Sequence, residues 1–163
     1  MPQRSHSLNK AVFIAVISSL IVILDYITKK MIISNVMLYE SINVLPFLNI
    51  VHVQNKGAAF SMFSGLGNHY FIAISVIAIL AIVLYVSRLP KGLELYSLSM
   101  ILGGAAGNLL DRIMIGKVTD FIDVFVGSWH WPAFNVADSA LTVGITLYLI
   151  ANIRHGRAVK KGA

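Results

Sequence analysis

The chain has 163 residues, of which 57% are hydrophobic and 12% charged, and its mean hydropathy is +0.78. Soluble domains carry roughly 25% charged residues, so one globular domain of this length could not hide so much apolar surface from water; its solvent is largely lipid. Thirteen Lys and Arg against seven Asp and Glu give a net charge of +6, but no basic stripe interleaved with aromatics points to nucleic acid. With no Cys, disulfides, zinc–thiolate sites, thiol nucleophiles and S-acylation of the protein itself are excluded.

A bilayer core about 30 Å thick needs about 20 mostly apolar helical residues, and four stretches come close: Asn9–Ile33, Tyr70–Ser87, Leu95–Leu110 and Val136–Ile153. The first also looks like a secretory signal peptide. It ends in Asp25, Lys29 and Lys30 without an A-x-A-like cleavage site, so it reads as an uncleaved span. Arg4, Lys10, Arg88, Lys91, Arg154, Arg157, Lys160 and Lys161 would share one side, which the positive-inside bias makes cytoplasmic, with both termini there.

The two connections on the other side are rich in Val, Ile and Phe. Glu40–Phe60 reads as short strands with turns at Pro46 and Asn55–Gly57, and Gly116–Phe134 adds Trp129, Trp131 and Pro132. The expected fold is therefore a single-domain, all-α membrane protein of four transmembrane helices, with a small extracytoplasmic β-rich loop region at headgroup level.

Four of the seven acids, Asp111, Asp120, Asp123 and Asp138, fall within 28 positions at the outer ends of the third and fourth spans or between them. Carboxylates near hydrocarbon are costly and mark function. Asp111 is more simply an ion pair with Arg112 or a helix-end contact, and Asp123 a solvated loop charge. Asp138 has two readings. In FNVADSAL, Asn135 can cap the fourth helix while Asp138 reaches back in capping-box fashion. Alternatively, the helix dipole favours an ionised Asp138, and a second carboxylate brought beside it, such as Asp120, would then hold a proton tightly. Such a pair can activate water and protonate a leaving amine, as peptide hydrolysis requires.

Bland readings serve elsewhere. The small-residue run Gly103–Gly107 suits close helix packing, and Asp25 with Lys29 suits an i,i+4 ion pair. Trp129, Trp131, Phe134 and Tyr70 suit an interfacial belt, and His52, His69 and His130 carry no assigned role. Two rivals to a hydrolase are a transporter with a carboxylate proton relay and a non-catalytic assembly protein whose acids are caps and ion pairs.

Five segments occur in order along the chain: DYITK from Asp25, NKGAAF from Asn55, GGAAGNLLDR from Gly103, KVTDF from Lys117 and FNVADS from Phe134. Together they closely resemble the bacterial lipoprotein signal peptidases, signal peptidase II. The resemblance implies a four-span inner-membrane aspartyl endopeptidase that cuts prolipoproteins before the diacylglyceryl-modified cysteine. It needs no cofactor or metal, works on a substrate embedded in membrane lipid at the extracytoplasmic face, and is a target of the cyclic peptide globomycin. It also implies that Asp120 and Asp138 are the catalytic pair, that Asn55, Gly57, Asn108, Arg112 and Asn135 line or brace the site, and that Asp25, Lys29 and Asp111 are structural or accessory.

Overall fold

A computed structural model describes residues 2–57, 65, 67–86, 89 and 92–161. Four helices, α1 (Pro2–Asn35), α2 (Asn68–Val86), α3 (Leu93–Ile115) and α4 (Val136–Lys161), are joined to four strands, β1 (Ser41–Leu45), β2 (Leu48–Asn55), β3 (Val118–Val126) and β4 (Trp129–His130). Within the helices, Lys10–Asn35, Asn68–Val86, Leu93–Ile115 and Val136–Arg154 are long and apolar enough to cross a membrane. All four expected spans are present. The first helix begins earlier than its apolar body, because a helix once nucleated continues at little cost through residues that do not break it. The third runs on past Leu110, so Asp111 and Arg112 lie inside α3.

Exposed side chains along α1 and α2, among them Val16, Leu20, Ile74, Ile77, Leu80 and Leu84, show why the sequence is so apolar: these faces meet lipid. The buried residues concentrate on α3, the central helix. It runs parallel to α1, with Ser18 Oγ donating to Ser99 O at 2.9 Å and Asp25 and Lys29 meeting its far end. It runs antiparallel to α4, where Gly104 lies against Ala137 and Gly144 against Ile101 and Ser97.

The small-residue run is what permits this approach. A Cβ on Gly104 would stand 2.5 Å from the Ala137 carbonyl oxygen, and one on Gly103 would stand 2.9 Å from Ile21 Cβ. With lipid on the outside, helix association rests on such close packing and not on hydrophobic burial.

The four strands form one antiparallel order, β1-β2-β3-β4. The turn at Pro46 joins β1 to β2 as expected, whereas β2 ends at Asn55; Ala58–Phe60 of that reading lie outside the described residues. Gly116 closes α3 in the left-handed conformation (φ 75°), which lets the chain turn at once into β3. In β2 a register shift between Ile50 and Val53 places Val53 opposite Asp120. The end of the sheet nearest the helices therefore delivers Asn55 and Asp120 to the C-terminal end of α3 and the N-terminal end of α4.

Because the added methyl would meet the Ala137 carbonyl and the Leu141 backbone N as well as the Leu141 side chain, Gly104→Ala is expected to cost about 1–3 kcal/mol of stability. Thermal unfolding in detergent checks this; an unchanged Tm would mean that α3 and α4 are not held at this spacing.

Candidate active site

Lys29 anchors the site. It is 2% exposed, and its ammonium contacts Asp25 Oδ2 at 2.7 Å, Asp111 Oδ2 at 3.2 Å and Asn108 Oδ1 at 3.1 Å. An ammonium has three N–H donors, and here each has an acceptor. The i,i+4 pair with Asp25 is present as expected from spacing. Of the two readings of Asp111, the ion pair with Arg112 is replaced by one with Lys29, one helix away, and its Oδ2 also accepts the Thr119 N–H just beyond the end of α3 at 2.9 Å. Asp25 Oδ1 accepts the Ala137 N–H at 2.9 Å. One buried cation and two carboxylates thus tie α1, α3, α4 and β3 together.

Asn108 carries this order to the next layer. Its Oδ1 faces Lys29 and also accepts from Asn135 Nδ2 at 3.2 Å, while its Nδ2 donates to Asp138 Oδ1 at 2.7 Å. A flipped amide would turn its NH2 to the ammonium and its carbonyl to the carboxylate, so the polarity of Asn108 is fixed by charge on both sides.

Asn135 stands between the two acids singled out in the sequence. Its Nδ2 donates to Asp120 Oδ1 at 2.7 Å, and its Oδ1 accepts the Asp138 N–H at 2.9 Å. Its own N–H points back to Asp138 Oδ2 at 3.3 Å, completing the capping box. The two readings of Asp138 are therefore compatible, because the helix cap is also the brace of the acid pair. On the other side of Asp120, Oδ2 accepts from Asn55 Nδ2 at 3.1 Å. Asn55 Oδ1 accepts the Gly57 N–H at 2.9 Å, and the Gly57 carbonyl accepts from Arg112 Nη2 at 3.0 Å. Each oxygen of both acids thus receives one hydrogen bond.

Asp120 and Asp138 line one cavity of about 570 Å³, whose walls include Asn55, Asn108, Arg112, Leu141, Trp131 and Phe134. Burial, and next the charge of Asp138, push the Asp120 carboxyl up to about 7, against the opposing pull of the hydrogen bonds from Asn55 and Asn135 and the charge of Lys29. A carboxyl poised near neutrality beside a second carboxylate is what acid–base chemistry requires.

Every site residue named from the sequence is therefore in one connected network: Asp25, Lys29 and Asp111 at its base, Asn108 and Asn135 in the middle, and Asn55, Gly57 and Arg112 around Asp120 and Asp138. Four further participants carried no sequence signal that could be read beforehand. Thr119 and Ala137 contribute backbone atoms. Asn68 donates to the Arg112 carbonyl at 2.9 Å, and the Phe71 ring lies 5.4 Å from the Arg112 guanidinium. Asp123 also departs from expectation: it is buried, not solvated.

Residues 17–154 match the family model described as signal peptidase (SPase) II. The chain belongs to the signal peptidase II family. Curated lipoprotein signal peptidases agree: that of Geobacter metallireducens is 41% identical, with 90% of this chain and 94% of the relative aligned, and that of Alteromonas mediterranea is 41% identical over 86% and 80%. A solved bacterial membrane enzyme superposes with a TM-score of 0.81 at 34% identity, covering 87% of this chain and 88% of its own. Membership of the signal peptidase II family makes the protein a protease that processes prolipoproteins, and the rivals of a transporter and an assembly protein give way to it.

Removal of the Lys29 charge would leave Asp25 and Asp111 buried without a cation. Lys29→Met is expected to cost about 3–5 kcal/mol of stability, and adding Asp25→Asn should return part of it. Thermal unfolding of both variants measures this; a Lys29→Met protein as stable as the wild type would contradict the anchoring role.

Proposed function

We propose that the protein is an aspartyl endopeptidase that cleaves the signal peptide from prolipoproteins immediately before the diacylglyceryl-modified cysteine, with Asp120 and Asp138 as the catalytic pair. The observation that carries this reading is that Asn135 bridges the two carboxylates, its Nδ2 donating to Asp120 Oδ1 and its main-chain N–H to Asp138 Oδ2, while both acids line one cavity. Asp120 holds the shared proton, since burial raises its carboxyl to about 7. Asp138, in the first turn of α4, is the anion that the helix N-terminus favours.

In the cleavage step a water between the two acids gives a proton to Asp138 as its oxygen attacks the scissile carbonyl. Asp120 donates its proton to the developing oxyanion. In collapse of the tetrahedral adduct Asp138 gives its proton to the leaving amine while a hydroxyl of the gem-diol returns a proton to Asp120, which restores the singly protonated pair and leaves a carboxylic acid product. Arg112 is too occupied with the Gly57 and Asn108 carbonyls to act as a proton donor; it holds the Asn55–Gly57 turn against Asp120.

The sheet end of the bundle is read as extracytoplasmic, in the bacterial inner membrane, with both termini cytoplasmic. The Lys and Arg distribution supports that orientation. The diacylglyceryl chains would then stay in lipid while the scissile bond reaches the acids, and binding of the signal helix would provide the positioning that accelerates a bimolecular step. Globomycin-type cyclic peptides are expected to occupy the same cavity.

Asp120→Asn and Asp138→Asn are each expected to fold and to lose at least about a hundredfold in cleavage of a lipidated prolipoprotein. Activity within a few-fold of wild type in either variant would eliminate the pair. Asn135→Ala should lose activity together with about 1 kcal/mol of stability, as a cap that is also a brace; retention of both would separate it from the site.

The pH dependence has a definite sign. Asp120 keeps its proton up to about pH 7 in the fold, whereas an unfolded Asp releases it near pH ~4. Stability therefore falls as pH rises through that window, and kcat/KM falls above about 7 as the shared proton is lost. In Asp120→Asn the stability loss should disappear. A wild-type stability that rises steadily between pH 4 and 7 by the same amount in both proteins would contradict the assignment.

A further inference from the structure

Opposite the helices, the segment from β4 to Phe134 runs back along β3 and forms one wall of the cavity. Trp131, Pro132, Ala133 and Phe134 all line it. The segment is pinned at both ends by backbone pairs. The Trp131 N–H donates to Val124 O at 2.8 Å, and Phe134 exchanges hydrogen bonds with Ile122 at 2.8 and 3.0 Å. It is entered through a tight turn in which Gly127 adopts φ 61°, the left-handed geometry that a two-residue hairpin with Gly first demands.

Between these pins lies Asp123, which the cleavage mechanism does not use. Asp123 sits three residues along β3 from Asp120, so the alternation of a strand puts it on the opposite face. It is 8% exposed, and burial of a carboxylate so far from the reacting acids needs a reason. Its partners supply one. Asn49 Nδ2 of β2 donates to Oδ2 at 2.9 Å, and His130 Nδ1 of β4 lies 2.9 Å from both oxygens. The His130 ring is stacked on Phe125, 5.1 Å between centroids and 19° between planes. The short β4 ladder has only two residue pairs, Phe125–His130 and Val126–Trp129, too few to hold a hairpin by themselves.

We propose that Asn49, Asp123 and His130 form a latch that positions the Trp131–Phe134 wall, and that this wall seats the apolar part of the substrate beside the scissile bond. The inference rests on the reading of the cavity as a peptidase site. Asp123 and His130 are positioning residues: they touch neither the reacting acids nor the cavity, and they act through the strand segment between them. The latch crosses three strands, β2, β3 and β4, and its side-chain bonds are shared neither with the capping box of Asn135 nor with the Lys29 cluster, so its loss frees the wall and leaves both in place.

Both tryptophans of the chain, Trp129 and Trp131, lie on this segment, and their rings pack edge to face at 5.9 Å. Tryptophan fluorescence therefore reports this segment. In the purified full-length enzyme, His130→Ala and Asp123→Asn are expected to raise acrylamide quenching of the tryptophans without substrate. Each should raise KM for a fluorogenic lipopeptide by about fivefold, the scale of one charge-assisted hydrogen bond partly compensated by water, with kcat within about twofold of wild type. The double variant should be no worse than the poorer single one, because both break one interaction. His130→Asn, whose amide can also donate to Asp123, should recover most of the wild-type KM.

A substrate with shortened acyl chains, and one with small residues before the cleavage point, distinguish what the wall holds: the KM effect of His130→Ala should vanish for whichever substrate lacks the contacting group. Unchanged quenching and unchanged KM in both single variants would overturn the latch, as would a fall in kcat at constant KM. His130 is half exposed, so its replacement leaves the fold standing. The quenching arm needs no cleavage, so a protein that fails to cut the lipopeptide would refute the peptidase reading while the latch is still decided by fluorescence.

Discussion

The whole site hangs on a charge placed where charges are expensive. Lys29 lies near the end of a membrane-spanning helix with almost no access to solvent, and its ammonium is tolerable only because Asp25, Asp111 and Asn108 take its three donors. Those acceptors come from α1 and α3, and through Asp25 and Asp111 the cluster also holds the Ala137 and Thr119 N–H groups of α4 and β3. A helix bundle in lipid has weak reasons to adopt one register, since apolar faces are equally content with neighbouring helices or acyl chains. A buried ion cluster with every donor and acceptor matched removes that freedom. The glycines of α3 allow the helices close enough for it to form.

From this anchor the order passes outward through amides. Asn108 is polarised by Lys29 on one side and presents its NH2 to Asp138 on the other; Asn135 reads both Asn108 and Asp120. Amides suit this task because they carry a donor and an acceptor in fixed relation and do not titrate. They allow the cation to organise the acid pair without sitting beside it. A lysine in direct contact with Asp120 would pull its carboxyl down and discharge the proton on which the proposed chemistry depends. At one remove, its opposing effect is smaller than that of burial and of the Asp138 charge, and the carboxyl remains near 7.

Much of this was legible in the sequence because membrane helices announce themselves by length and composition, and because acids are rare enough here to be noticed. The capping box of Asn135 and Asp138 and the i,i+4 pair of Asp25 and Lys29 follow from local spacing, and both are present. Partners that lie far apart along the chain were not legible. Spacing alone pointed Asp111 to its neighbour Arg112, whereas the parallel packing of α1 and α3 brings Lys29 to it instead. Asp123 read as a loop charge because nothing local shows that β2 and β4 flank it with Asn49 and His130. Backbone donors such as those of Thr119 and Ala137 leave no trace in residue type at all. Resemblance to a family could nominate Asp25, Lys29 and Asp111, but only the assembled bundle explains why the three belong to one cluster.

The proposed chemistry needs one carboxyl that keeps its proton at neutral pH beside an ionised partner. Infrared difference spectroscopy of the membrane-embedded protein, titrated from acid to alkaline pH, observes that proton directly through the carbonyl stretch of a protonated carboxyl group. A single such band should vanish with a midpoint of about 7 and be missing from Asp120→Asn. Loss of every protonated-carboxyl band at the acidic pH of ordinary aspartates, or a neutral-pH band that survives in Asp120→Asn, would contradict it.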